Sequence, residues 1–395
     1  MALSSTTALE FIVQAISDTG DSLENLRTLA PQDWDTVVVT AIALGLAPLL
    51  HQQLVARSSN LALPPPALAR LAVTRQAHAK RNQAIAGQLA EILAACAAAP
   101  IEVMVLKGAL LAPTVYHDPA LRPMNDIDLL FRPEDLARVG AVLESLGYGG
   151  KHKDAGRGPG VTKHLSTYRR RAGHEGTTPN PYLSAGGDRT VEPHGSLEES
   201  WFGLKVDITP GVWARAVPLT QHGRPAYRLS TPDLLLHLAV HAVFHVIMGS
   251  LVFVQLYDIR QVLTAWSAEL DWSEILALAR QARAQPFLYA GLYWAGRIFD
   301  APRPDAPLAE LAQAVPSELL AYIHSLDTVA ILKRTQQPPL VTLGQRLRRG
   351  LADRHEAARW AGSWRGKWQV WQTALAVHKT DTAGLLQKRL KVRHD

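Results

Sequence analysis

The sequence predicts an α+β fold: a small mixed β-sheet core flanked by N-terminal and C-terminal helical domains. Three observations carry this prediction. Residues 8–98 hold long stretches rich in helix-forming residues. Residues 101–131 then carry two short apolar, β-branched runs, IEVMVLKG and NDIDLLF, each followed by a helix signal. From Thr231 the helical patterning returns and holds to about residue 335. The predicted division is residues 1–98 as an N-terminal helical domain, 99–229 as the mixed core with an irregular loop at 149–190, 230–335 as a second helical domain, and 336–395 as a basic, Trp-containing helical tail.

In chain order, ALEFIVQAI and DWDTVVVTAIALGLAPLLHQQLVA read as two helices, the second capped by Asp33 or Asp35 with Pro48 near its end. Residues 66–98 form one long helix after LALPPP. The strand IEVMVLKG ends at the Gly108 turn, ALLAPTVY is a short helix, and HDPALRPM is a loop. NDIDLLF is the second strand. RPEDLARVGAVLESLGY is a helix, with Pro133, Glu134 and Asp135 in its first turn and Gly147 closing it. Within 149–190, KHLSTYRRR suits a short strand; TVEPH and LKVDITPGVW follow as extended pieces. TPDLLLHLAVHAVFHVIM has a threonine cap and a first-turn proline.

The chain has 395 residues, 47% hydrophobic and 19% charged, a globular balance that excludes disorder. No apolar run reaches the ~20 residues of a membrane span, and the start lacks a secretory pattern. Cys96 is the one cysteine, so no intrachain disulfide can form, and the cytoplasm is the expected compartment. The net charge of +6 is uneven: from Gly344 onward, twelve Lys or Arg against four Asp or Glu give +8, leaving −2 for the rest. A basic tail suits either an anionic partner or a solvated helix.

Residues Asp126 and Asp128 pose the chemical question. On a strand they share one face, about 6–7 Å apart along the backbone. Like charges so placed repel, and a divalent cation removes that cost. Mg²⁺ favours carboxylate oxygens together with substrate phosphates, and two such ions can activate a hydroxyl and stabilise a leaving pyrophosphate. The turn Lys107-Gly108-Ala109 offers amide groups at a helix start for a triphosphate. Lys107 adds a point charge. Arg122 adds a fork of donors, or else pairs with Asp118 or Asp126 to hold the loop. Asn125 completes this nucleotide-binding set beside the aspartates. A third carboxylate is required: Glu192 is the first candidate and Asp207 the second.

Two further patterns stand out. His237, His241 and His245 recur every four residues on one helix face. They suit a half-buried junction, or a zinc pair, or a position for His241 near nucleotide or acceptor, oriented by a carboxylate such as Asp258. His194 either faces the site or caps its strand. Trp360, Trp364, Trp368 and Trp371 line one face of a single helix, read chiefly as a docking face and otherwise as an RNA or membrane contact.

The runs VLKGALL, YHDPALRPMNDIDLLFRPEDLARVGAVLESLGY and VEPH resemble a nucleotidyltransferase-like family of uncharacterised bacterial proteins within the DNA polymerase beta nucleotidyltransferase superfamily. DWDTVVVTAIALGLAPLLHQQL, TPDLLLHLAVHAVFH and YDIRQVL extend the resemblance over roughly residues 30–300. It implies transfer of a nucleoside monophosphate from an NTP co-substrate, with two Mg²⁺ ions, or Mn²⁺ in their place. Asp126 and Asp128 match the superfamily's metal pair, Gly108 its glycine turn, and Glu192 its third carboxylate. Two departures bear on activity. Ala109 stands where the superfamily usually has serine, and Pro193 where the family has an aliphatic residue. The acceptor is left open among a small molecule, a peptide or protein, and an RNA end. The alternative is a catalytically impaired nucleotide- or peptide-binding protein on the same fold.

Overall fold

The computed structural model describes residues 3–17, 26, 29–57, 63–151, 167–170, 190–336 and 342–373. Four helices come first: α1 (Ser5–Ser17), α2 (Pro31–Ala43), α3 (Ala47–Ala56) and α4 (Pro65–Ala98). The helix expected across residues 33–56 is split into α2 and α3. Gly45 takes φ +71° between them, a left-handed conformation that ends a helix, and Pro48 sits in the first turn of α3 rather than near a helix end. Neither Asp33 nor Asp35 caps α2: Asp33 accepts the Leu3 N–H, and Asp35 pairs with Arg70.

The core sheet then alternates with helices: β1 (Met104–Val105), α5 (Lys107–Thr114), β2 (Asp126–Leu130), α6 (Leu136–Ser145), β3 (Gly149–Lys151), β4 (Thr167–Arg169) and β5 (Thr190–His194). After them come β6 (Glu198–Trp201), β7 (Leu204–Asp207), β8 (Val217–Gln221) and β9 (Arg224–Arg228). Seven strands form one mixed sheet in the order β3-β4-β5-β2-β1-β9-β8, while β6 and β7 pair as a separate hairpin. β2 lies parallel to β5 and antiparallel to β1. The expected α+β class is therefore observed. Two hairpins turn on residue pairs with positive φ, Phe202-Gly203 and His222-Gly223. Both central residues are left-handed, as in the tight turn whose twist matches paired strands. The His222-Gly223 signal marks β8 and β9, which the sequence patterning above does not identify. Of the irregular loop at 149–190, residues 152–166 and 171–189 lie outside the described residues; Thr167–Arg169 of KHLSTYRRR is a strand.

Helix α7 (Thr231–Met248) opens the second helical region. Its cap is Ser230, whose hydroxyl accepts the Asp233 N–H; Thr231, the expected cap, is already helical. Among the described residues α7 is the one helix long and apolar enough to cross a membrane, with mean hydropathy 1.4, but 89% of it is buried inside the protein. It is thus the central core helix, wrapped by α8 (Val254–Ala265), α9 (Trp272–Gln281) and α10 (Gln285–Phe299). α11 (Asp305–Ala314), α12 (Ser317–Ser325), α13 (Thr328–Thr335) and α14 (Leu343–Trp360) follow. One continuous hydrophobic core runs from Ala8 to Val370. The single helix expected through the four tail tryptophans is broken: α14 stops at Trp360, and a new helical segment occupies 364–373.

Cys96 is buried near the end of α4, and burial pushes its thiol up to about 12. The folded protein is therefore expected to leave a disulfide thiol reagent unreacted at neutral pH and to consume one equivalent after denaturation. Stoichiometric reaction before unfolding would show that this end of α4 is open.

Candidate active site

Register builds the site. In parallel strands, directly paired residues point to the same face, and β2 pairs with β5 as Asp126↔Thr190, Asp128↔Glu192 and Leu130↔His194. Asp126 and Asp128 thus share a face, as expected, and Glu192 and His194 join it. Ligand atoms of Asp128, Glu192 and His194 all lie within 4.8 Å of one another. His194 faces the site rather than capping the strand: its Nε2–H donates to Asp128 Oδ1 at 2.7 Å. Pro193 does no harm here. The His194 carbonyl accepts from Phe131 N–H on the β2 side, so by alternation Pro193 faces the β4 side. There the described pairing is Tyr168↔Val191, two residues earlier. The missing N–H therefore falls beyond that rung.

Lys107 opens α5 with φ +43°, a conformation that costs a non-glycine residue about 1–2 kcal/mol. Its ammonium reaches Asp128 Oδ1 at 2.9 Å. Gly108 does not need an unusual φ; it needs room. A Cβ there would stand 2.9 Å from Met124 Cγ and 3.3 Å from an Arg122 terminal nitrogen. Ala109 is buried and its carbonyl accepts from the Gln221 side-chain amide at 2.6 Å. The electrostatics divide the aspartates. Burial pushes the Asp128 carboxyl up, but the Lys107 ammonium and the His194 ring outweigh it and hold the group well below the usual carboxylate range. Asp126 keeps solvent contact at the open side yet is closely surrounded by protein. That burial and the Asp128 charge raise it to about 7, Glu192 adding to the effect. Lys107 is held above its usual value: burial lowers it, and Asp128, Asp126 and Glu199 together raise it further. A carboxylate pair this unequal, with a lysine on one member, is a face short of positive charge.

Several expected partners differ. The Arg122 fork is taken by Asp258, with Nε at 2.9 Å and Nη2 at 2.8 Å, and Tyr116 donates to the same carboxylate at 2.7 Å. Arg122 therefore gives its fork to Asp258 rather than to Asp118 or Asp126, while its charge still acts on Asp126. Asp118 binds Arg75 and accepts the Ala120 N–H. Asn125 is half-buried, and its side-chain oxygen has no hydrogen-bond partner among the described residues. Asp207 is turned away: its carboxylate accepts the Thr209 N–H and hydroxyl, and it pairs across β6–β7 with Glu198.

The histidine helix is resolved by a carboxylate that the sequence did not single out. His241 Nδ1 meets Glu199 Oε1 at 2.9 Å, and Nε2 meets the Gln255 amide nitrogen at 3.2 Å. Gln255 is oriented by Val252 N–H on its oxygen, so its nitrogen donates and His241 Nε2 accepts. Nδ1 then carries the proton and donates to Glu199. Both ring nitrogens are engaged inside the protein, and Glu199, not Asp258, orients the ring. Glu199 is buried and its charge acts on Lys107. Its signal in LEESW was a carboxylate inside a short strand two residues before a tryptophan. His245 engages Ser250 at the end of α7.

A family model described as an uncharacterised nucleotidyltransferase matches residues 30–300. The chain belongs to this nucleotidyltransferase family. It is accordingly a transferase of nucleotide groups. Among solved structures, the chain is similar to ANT(2'')-Ia. The crystal structure of that protein in complex with adenylyl-2''-tobramycin is 16% identical, over 51% of this chain and 97% of that one, with a TM-score of 0.35. Its solution structure, described as that of an antibiotic-resistance factor, is 16% identical over 53% and 94%, also with a TM-score of 0.35. No curated protein matches the sequence.

Proposed function

We propose that this nucleotidyltransferase moves a nucleoside monophosphate from an NTP, ATP among the candidates, to a hydroxyl acceptor, with Mg²⁺ and release of pyrophosphate. The acceptor is a small molecule, a peptide or protein, or an RNA end. The observation that supports this reading most is the β2–β5 register that sets Glu192 beside Asp128, with Asp126 on the same face. These residues fit a hard divalent cation: oxygens of Asp128 and Glu192 converge, and Asp126 on the same face is raised to about 7 by burial and then by the Asp128 charge, which positive charge would offset. When bound, Mg²⁺, or Mn²⁺ in its place, supplies Lewis acidity and charge neutralisation, and two ions match the three carboxylates.

Asp126, Asp128 and Glu192 would hold the metal. His194, on the same face, keeps Asp128 oriented and ionised. Lys107 adds positive charge at the same face, and the first amide groups of α5, at Lys107, Gly108 and Ala109, suit a triphosphate. Arg122 acts through position: anchored by Asp258, it lies along the Gly108 turn and the approach to β2. Asn125 leaves an acceptor oxygen beside Asp126. Glu199, held by His241, fixes the field on Lys107. Most of the rate then comes from positioning and charge stabilisation. In this reading residues 99–229 carry the chemistry, helical domains 1–98 and 230–335 enclose it, and the protein works in the cytoplasm, where NTPs are supplied.

Labelled NTPs with Mg²⁺ test it. At least one nucleotide should bind in a Mg²⁺-dependent way and be transferred in an acceptor screen, and Asp126→Asn/Asp128→Asn should lose both. Absence of any NTP binding by the wild type would remove the reading. Binding without transfer to any acceptor class would favour the impaired binding protein, which Ala109 supports because it offers no hydroxyl to phosphate.

A further inference from the structure

Lys107 is a lysine in a left-handed conformation, φ +43°, where glycine or asparagine is the easier choice. It is the first residue of α5, yet its side chain reaches β2, with Nζ 2.9 Å from Asp128 Oδ1. The His194 ring donates to the same oxygen at 2.7 Å. A carboxylate oxygen has two lone pairs, so these two donors fill Oδ1. The pair is set into the protein, the Lys107 side chain 14% exposed and that of Asp128 5%. The ammonium also acts on Asp126, and Glu199 acts on the ammonium. Arg122, another cation near the turn, gives its fork to Asp258 instead. A monovalent cation of the chain itself thus lies on the carboxylates that the proposed reading assigns to a divalent ion.

We propose that Lys107 is a resident cation that makes metal binding depend on nucleotide. Without nucleotide, its ammonium holds Asp128 and opposes a divalent ion at that carboxylate, because two positive charges then compete for one buried group. A triphosphate reverses the balance. Lys107 belongs to the turn whose first amides suit phosphate, and its four-carbon stem lets the ammonium change partners while the backbone stays in place. Asp128 is released, His194 keeps it oriented, and Lys107 exchanges one counter-charge for another. Metal and nucleotide therefore strengthen each other's binding through this side chain, by the same factor in both directions. A lysine suits the task better than an arginine, whose planar fork ties it to one geometry. The left-handed residue at the head of α5 is then explained, since from that position one side chain serves both the strand and the turn. This inference rests on the proposed nucleotide reading and adds to it that the free protein resists metal until nucleotide arrives.

Mn²⁺ binding to the full chain, read from the electron paramagnetic resonance of free Mn²⁺, tests this without turnover. Wild type without nucleotide should bind Mn²⁺ weakly, and Lys107→Met at least about tenfold more tightly with unchanged circular dichroism. Lys107→Met/Asp128→Asn should lose that gain. Arg280→Gln removes an exposed positive charge on α9 that is paired with Glu310, and it should show no gain. Lys107→Gln takes the place of Lys107→Met if the latter misfolds. Labelled NTP should bind wild type more tightly when Mn²⁺ is added, by a factor that shrinks in the Lys107 variant. Equal Mn²⁺ affinity in wild type and the folded Lys107 variant overturns the proposal, as does tight, Asp128-dependent Mn²⁺ binding by wild type without nucleotide. If either occurs while wild type still binds NTP with Mn²⁺, the nucleotide reading stands and only this inference falls. If wild type binds no NTP under any condition, both fall.

Discussion

Asp128→Asn is expected to lower kcat/KM for nucleotide transfer by at least about 10³-fold, with the fold retained. The carboxylate is at the centre of the face: it accepts from Lys107 and His194 and stands beside Glu192. Asparagine keeps the shape and removes the charge. His194 can still donate to the amide oxygen, so the strand register survives. Lys107 fares worse, because its side chain is only 14% exposed and its closest counter-charge is gone. Asp126 and Glu199 remain nearby, so the stability loss should be about 2 kcal/mol, less than for a fully orphaned buried charge. Lys107→Met/Asp128→Asn should regain much of that stability in denaturant titration and none of the activity. Transfer within tenfold of wild type in Asp128→Asn would show that the chemistry lies elsewhere.

Asp258→Ala should destabilise the fold by about 3–4 kcal/mol. Asp258 is 2% exposed and Arg122 12%, and the pair is doubly hydrogen-bonded, with Tyr116 as a third member. Removing the carboxylate leaves a buried guanidinium beside the Gly108 turn. Arg122→Ala/Asp258→Ala should cost well under the sum of its single variants, because neither charge is then left alone. The coupling should reach about 2 kcal/mol by equilibrium unfolding. Arg122→Lys should behave like a partial loss, since an ammonium cannot reproduce the two-pronged contact. Strict additivity would mean that Arg122 and Asp258 do not act as a unit.

Much of the site was legible because its signals are local. The i, i+2 spacing of Asp126 and Asp128 places them on one face of any strand, and NDIDLLF can be little else. Glu192 was the first candidate for the third carboxylate, the resemblance pointed to the same residue, and β5 sets it beside Asp128. Other partners were out of reach of the sequence for definite reasons. Arg122 looks like a phosphate binder from its setting, but the carboxylate that claims it is 136 positions away. The carboxylate on the His241 ring, Glu199, lies 42 positions upstream. The tail tryptophans share a helical period, yet the helix breaks after Trp360 because that one indole is drawn into the core.

By itself, the sequence determined the α+β class, the order of most elements, the long α4, the shared face of the aspartate pair and the single thiol. Each of these depends on interactions within a few residues, which periodicity and turn chemistry express directly. The tertiary structure decided which charges meet. Lys107 and His194 on Asp128, separated from it by 21 and 66 positions, Arg122 on Asp258, Glu199 on His241, and the burial of Trp360 while Trp364, Trp368 and Trp371 stay exposed all arise when the sheet and helices pack. A charged side chain is compatible with many partners in sequence; burial leaves it the one within about 3 Å, and only packing determines which that is.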